Sequence, residues 1–155
     1  MAKYFPPVGF YFSVEFSLGS DENTKDNQFQ SVSGLSIDLE TEEIAEGGEN
    51  RFKHKLPVKT KYPNLVLKRG MILDSKVIDW CREALENYNF EPLDIMVNLL
   101  VKEGDIATSA TAKPLRSWNI KNAFPVKWNV SDFNAEESKF VIETLELSYN
   151  YFEIL

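Results

Sequence analysis

The residue types that most often perform chemistry are scarce in this chain. His54 is the only histidine and Cys81 the only cysteine among 155 residues. A histidine general base needs a carboxylate to orient it, whereas His54 lies between Lys53 and Lys55. On that basic stretch it reads as a surface histidine. Cys81 falls on the apolar stripe of a helical segment with no evident basic partner to stabilise a thiolate, so it reads as a small core residue. One cysteine permits no internal disulfide, and one histidine excludes a His-rich metal site within one chain. Neither a G-x-x-x-x-G-K-[ST] phosphate loop nor a G-x-G-x-x-G fingerprint occurs. Carboxylates are plentiful enough for a glycosidase-like dyad, yet most fall on strand exteriors or loops, where charge keeps a surface wet and blocks edge pairing. The acidic stretch Ser20–Asn27 lacks the glycine and spaced oxygens of an EF-hand loop and reads as a solvated connector. Trp118 and Trp128 could stack bases or sugars, but on alternating strand faces they read as core or interface anchors. The expectation is a protein with no catalytic residues, no metal and no cofactor.

What must be positioned is therefore a surface. The length suits a single domain spanning residues 1–155. A net charge of −7 argues against a general nucleic-acid coat or an anionic-membrane binder, and 43% hydrophobic residues argue against overall disorder. Met1–Pro7 lacks the features of a signal peptide, and no apolar run approaches the ~18–20 residues that span a bilayer. The chain is expected to be made and folded in the cytoplasm, without a membrane anchor.

Phe10, Phe12, Val14, Phe16 and Leu18 alternate with Tyr11, Ser13, Glu15 and Ser17, the period-two signature of a strand with one buried face. Leu93–Val101 repeats it, as do segments around Trp118 and Trp128 with a turn expected at Lys121-Asn122-Ala123, and a final run over Val141–Tyr151. Ser75–Asn89 has a 3.6-residue period instead, with Val77, Ile78, Cys81, Ala84, Leu85 and Tyr88 on one side. Asp74 is placed to cap this helix and Leu73 to staple against Ile78. Many strands and one helix predict an antiparallel β-sandwich or barrel with one flanking α-helix.

The most unusual feature is a charge split. From Asp38 to Asn50 the charged residues are all acidic, including Glu40, Glu42, Glu43, Glu46 and Glu49; from Arg51 to Gly70 they are all basic, including Lys53, Lys55, Lys59, Lys61, Lys68 and Arg69. Gly47 and Gly48, near the junction, suit a reversal. The pattern predicts a long protruding hairpin with one acidic and one basic arm. Its charges either pair within the hairpin, contributing only ~0–1 kcal/mol per exposed pair, or present acidic and basic sides that match a second copy head to tail.

Taken in order, several stretches resemble the inner-tube proteins of contractile phage tails and of related extracellular contractile injection systems. They are Pro6-Pro7-Val8-Gly9-Phe10-Tyr11-Phe12, Val32-Ser33-Gly34-Leu35, Glu40-Thr41-Glu42-Glu43, Gly47-Gly48-Glu49-Asn50, Leu56-Pro57, Lys61-Tyr62-Pro63-Asn64-Leu65-Val66-Leu67-Lys68-Arg69-Gly70, Trp80, Trp128 and Glu143-Thr144-Leu145-Glu146-Leu147. The resemblance implies a tail-tube fold whose subunits form hexameric rings. These stack into a hollow tube inside a contractile sheath, which drives it through a target envelope. It implies sheath, baseplate and tail-terminator partners, DNA or other cargo in the lumen, and residence in a phage tail or injection particle. Alternatives are a tube-initiating ring at the baseplate or a type VI secretion tube protein. Further off are a monomeric ligand-binding β-barrel and an acid–base hydrolase.

By the same resemblance the hairpin from about Leu39 to Lys61 makes contacts between subunits and rings. That assigns contact roles to Glu40, Glu42, Glu43, Glu46, Gly47, Gly48, Glu49, Asn50, Arg51, Lys53, Lys55, Lys59 and Lys61. Candidate lumen residues are Glu15 on one strand and Thr144, Glu146, Ser148 and Asn150 on another. Two departures stand out: Val58 where relatives often have glycine, and the aromatic end Tyr149-Asn150-Tyr151-Phe152, which suggests a specialised neighbour.

Overall fold

The period-two segments become nine strands, β1 (Phe10–Phe16), β2 (Ser31–Ser33), β3 (Asp38–Ile44), β4 (His54–Lys61), β5 (Leu65–Gly70), β6 (Leu93–Val101), β7 (Pro114–Val130), β8 (Ile142–Ser148) and β9 (Tyr151–Ile154), with one helix, α1 (Lys76–Asn87), in a computed structural model. It describes residues 10–18, 29–45, 47–48, 51–101, 114–133, 135–136 and 141–155. The expected connector Ser20–Asn27 and residues Glu46, Glu49 and Asn50 lie outside these.

Seven strands form one antiparallel sheet in the order β1-β6-β7-β8-β5-β2, with β9 also paired to β7. The alternation in β1 follows from its register, Val14 facing Val97 and Phe16 facing Ile95 on β6. Val14, Ile95, Val97 and Ile120 from one half of the sheet join Leu65, Leu67, Leu145 and Leu147 from the other, and Val77, Trp80 and Cys81 of α1, in a single apolar core. Full burial of each large aliphatic side chain is worth about 1.5–3 kcal/mol, so this shared core holds the two halves together.

Strand β7 departs from expectation. Lys121-Asn122-Ala123 is no chain reversal; β7 runs through it, pairing first with β6 and β9 and then, beyond Ala123, with β8. Asn122 supplies the bend with φ 53°, a left-handed conformation that asparagine tolerates better than most residues. Asp94 holds the bend, its carboxylate accepting from the Asn122 amide at 3.2 Å and from Lys121 Nζ at 3.4 Å. The run expected over Val141–Tyr151 likewise breaks at Tyr149-Asn150, where the Asn150 amide donates to the Lys121 carbonyl at 3.0 Å. The two corners thus sit side by side and fix each other.

The helix also differs in detail. Ser75, not Asp74, is its N-cap, accepting from the Ile78 amide at 3.3 Å, while Leu73 is 79% exposed and staples nothing. The chain leaves the helix at Tyr88, whose φ is 59°, and Tyr88 is exposed, as is Leu85 within the helix. The stripe is completed instead by Trp80, giving Val77, Trp80, Cys81 and Ala84 at i, i+3, i+4 and i+7.

Candidate assembly surface

Strands β3 and β4 form a separate two-stranded sheet, and every residue of both is exposed. An isolated hairpin is marginal in water, and this one displays Leu39, Ile44, Leu56 and Val58 to solvent as well as its charges. Its register sets Glu40 opposite Lys59 and Glu43 opposite Lys55. Lys59 reaches Glu40 at 3.6 Å and Lys53 reaches Glu43 at 3.8 Å. Lys55 and Lys61 make no ion pair among the described residues. Because side chains alternate, Glu40, Glu42, Lys59 and Lys61 share one face, whereas Glu43, Lys53 and Lys55 share the other. The acidic and basic residues are therefore segregated by strand, not by face: one edge of the hairpin is acidic and the other basic. Of the remaining hairpin residues, Gly47 and Gly48 form the exposed tip, Gly48 with φ 98°, and Arg51 follows it on the exposed return.

Val58 occupies a bulge. Glu40 faces Lys59 while the next residue, Thr41, faces Pro57, so Val58 is the unpaired extra residue. The bulge accommodates Pro57, which has no amide hydrogen for the ladder, and no glycine is needed at position 58.

The hairpin leaves the body through an aromatic root. Tyr62, just after β4, contacts Phe152 of β9 at 5.2 Å and Tyr149 at 6.0 Å between ring centroids. The Tyr149 hydroxyl donates to the carbonyl of Gly34, ahead of β3, at 3.3 Å. Gly34 has φ 96°, and a Cβ there would lie 2.1 Å from the Asn64 carbonyl oxygen; only glycine fits so close to that backbone. Tyr149 and Phe152 are buried, leaving Asn150 and Tyr151 of this aromatic end exposed. The aromatic end is thus explained first by internal packing. Burial, reinforced by Tyr62, pushes the Tyr149 hydroxyl up to about 12.

A second group escaped the sequence reading. Arg69, counted there with the basic arm, is instead buried and pairs with buried Glu143 across β5 and β8 at 3.3 Å. Its Nη2 donates to the Ser75 hydroxyl at 2.7 Å, and its guanidinium lies 5.0 Å from the Phe29 ring centroid. One arginine thereby ties two strands to the helix cap. Cys81 is buried nearby, and burial pushes its thiol up to about 12, with Arg69 opposing and Glu143 adding to the shift. Partners 74 and 115 residues apart, as in Arg69–Glu143 and Gly34–Tyr149, leave no local period to read. The hint was an arginine at an inward-facing position of β5.

The candidate lumen residues are dispersed. Thr144, Glu146 and Ser148 line the face of β8 turned away from Leu145 and Leu147, all half-buried, and Asn64 Nδ2 donates to Glu146 at 2.9 Å. Asn150 stands apart in the β8–β9 corner and is exposed. Glu15 is exposed on β1, in the other half of the sheet. Since the two halves share a core between them, Glu15 and Glu146 occupy different outer faces. No group of three or more His, Cys, Asp or Glu among the described residues is arranged to hold a metal ion, and no described helix is long and apolar enough to cross a membrane.

Residues 8–153 match the family of the T4-like virus tail tube protein gp19. The chain belongs to that tail tube family. It is a structural tube subunit of the contractile-tail type, not an enzyme. A chain of the six-fold-symmetrised anti-feeding prophage baseplate has TM-score 0.78 and 27% identity, covering 100% of this chain and 97% of that one. A chain of the sheath/tube terminator of an extracellular contractile injection system has TM-score 0.76 and 25% identity, covering 100% and 99%. The fold extends to Hcp1 from Flavobacterium johnsoniae, at TM-score 0.55 and 18% identity over 92% and 93% of the two chains. No curated protein sequence matches the chain.

Proposed function

We propose that this tail tube subunit assembles as a homohexameric ring. The rings stack into a hollow tube that a surrounding sheath propels through a target envelope, in a phage tail or an extracellular injection particle. Baseplate and terminator proteins close its ends, as the assemblies containing the similar chains suggest. The observation that carries this reading beyond family membership is the β3–β4 hairpin, exposed at every residue of both strands with one acidic and one basic edge. Such an element gains little by protruding alone. Repeated six times per ring, weak contacts add within one stacking event.

The roles follow from position. Glu40, Glu42 and Glu43 supply the acidic edge and Arg51, Lys53, Lys55, Lys59 and Lys61 the basic edge; Glu46, Glu49 and Asn50, outside the described residues, are assigned to the same contact from their place in the sequence. The outer strands β1, β2 and β9 leave backbone edges that neighbouring subunits satisfy on ring closure, removing sites of disordered pairing. A polar outer face lines the channel, either that of Thr144, Glu146 and Ser148 or that of Glu15, where excess acid would favour passage of DNA or another acidic cargo by repulsion. A tube-initiating ring at the baseplate is the alternative reading, and finding the chain in one ring of the particle in place of many would favour it.

Electron microscopy of the native particle tests the ring, since six-fold annuli stacked within a sheath are expected and a non-annular particle overturns it. Reversing Lys53, Lys55 and Lys59 to Glu should leave a folded protomer that forms no tubes. Normal tubes from that variant would end the proposed role of the hairpin.

A further inference from the structure

The two feet of the hairpin meet the body at one place. Gly34 precedes β3 and Tyr62 follows β4, and both touch Tyr149, the first through its carbonyl at 3.3 Å and the second through its ring at 6.0 Å. Phe152 closes the group against Tyr62 at 5.2 Å and Tyr149 at 6.3 Å. Beyond these feet β3 and β4 pair, among the described strands, only with each other, and every residue of both is solvent-exposed. A lever with no other support takes its direction from its root.

From this geometry we infer that Tyr149 is a positioning residue for assembly: its hydroxyl and ring, backed by Phe152, set the angle at which the hairpin leaves the body and so pre-aim it at the next copy. The inference rests on the proposed assembly role of the hairpin. Pre-aiming matters because an interface formed by a swinging element must lose that freedom on binding, and rigidity before contact lowers this cost. The arrangement also explains why the corner between β8 and β9 must be sharp. The Asn150 amide is held by the Lys121 carbonyl at 3.0 Å, in the corner between Tyr149, just after β8, and Phe152 on β9, whose rings both contact Tyr62. Tyr149 is 8% exposed and Phe152 6%, so the clamp is not competing with solvent for its contacts.

The test separates aim from folding. Spin labels at Glu42→Cys on the hairpin and Arg116→Cys on β7, in a Cys81→Ala background, report the hairpin angle as a distance distribution in the full chain. Tyr149→Phe removes only the hydroxyl and should broaden that distribution at least twofold while near-ultraviolet circular dichroism stays native. Tube formation from the unlabelled Tyr149→Phe chain should fall at least tenfold in rate, with assembled tubes of normal diameter. Phe152→Leu, which keeps an apolar side chain but removes the ring contacts, should broaden it similarly. An unchanged distribution and unchanged assembly rate in both variants overturn the positioning role. If those variants assemble normally while the Lys53, Lys55 and Lys59 reversal abolishes tubes, the hairpin still acts in assembly and only the clamp is refuted; if the reversal also assembles normally, the hairpin reading itself has failed.

Discussion

Two antiparallel strand pairs in this molecule carry the same chemistry in opposite surroundings. In the hairpin, Lys59 faces Glu40 across β3 and β4 at 3.6 Å, with the lysine side chain 69% exposed. In the body, Arg69 faces Glu143 across β5 and β8 at 3.3 Å, with both side chains 2% exposed. The exposed pair is screened by water and salt and contributes at most about 1 kcal/mol. The buried pair gives up far more hydration, so removing one partner leaves a charge that nothing replaces, at a cost of about 3–5 kcal/mol. What the contrast teaches is that opposite charges do different jobs on the two sheets. The hairpin leaves its ions exposed, as the proposed contact with another copy requires, whereas the body uses its ions to lock two strands to a helix.

The largest effect should come from breaking the buried pair. Glu143→Ala is expected to lower unfolding stability by about 3–5 kcal/mol in urea denaturation, because the buried Arg69 loses its carboxylate partner. Arg69→Met combined with Glu143→Leu should recover most of that loss, because an apolar pair of similar volume has no desolvation penalty. If the single substitution costs under ~1 kcal/mol, the two sheets do not differ as claimed.

Next in size is Gly34→Ala, which forces a side chain into a left-handed conformation and against the Asn64 carbonyl. A loss of about 1–3 kcal/mol is expected, read as a fall in thermal midpoint. A Glu40→Gln substitution in the hairpin, by comparison, should move stability by less than ~0.5 kcal/mol; a larger change would mean that the exposed ladder holds the fold after all.

Alkaline titration sharpens the same division. Cys81 and Tyr149 have folded pKa values raised to about 12 from 9.0 and 10.0. The native state therefore keeps protons that the unfolded chain releases, and stability present below pH 9 should be lost as pH rises from 9 toward 12. Cys81→Ala should flatten the lower part of that decline, measured by denaturation at stepped pH; an unchanged slope would remove Cys81 as its source. A small effect is also expected at Trp128, whose buried indole N–H has no acceptor among the described residues. Trp128→Phe deletes an unmet donor, and the gain and the lost packing should leave stability within ~1 kcal/mol in the same assay.

Much of this architecture could be read along the chain because strands and helices advertise themselves locally. The alternation in β1, the helix stripe around Cys81 and the acidic-then-basic hairpin all involve neighbours within a few residues. The same locality explains the errors. Asn122 looked like a reversal because its residue type favours left-handed backbone, yet Asp94 and the adjoining Asn150 corner turn that bend into a crossing between sheet halves. Arg69 resembled another hairpin cation because nothing near it in the chain announces Glu143.

The order of amino acids alone determined the element types, the scarcity of catalytic side chains, the charge split of β3 and β4, and the resemblance to tail tube proteins. Each depends on composition or on short periods. Tertiary structure decided which charges are sealed inside, that acid and base separate by edge and not by face, and that the aromatic end grips the hairpin root. Those outcomes depend on pairs of residues brought together only when β5, β8 and β9 close over one core, and long-range proximity leaves no periodic trace in a single chain.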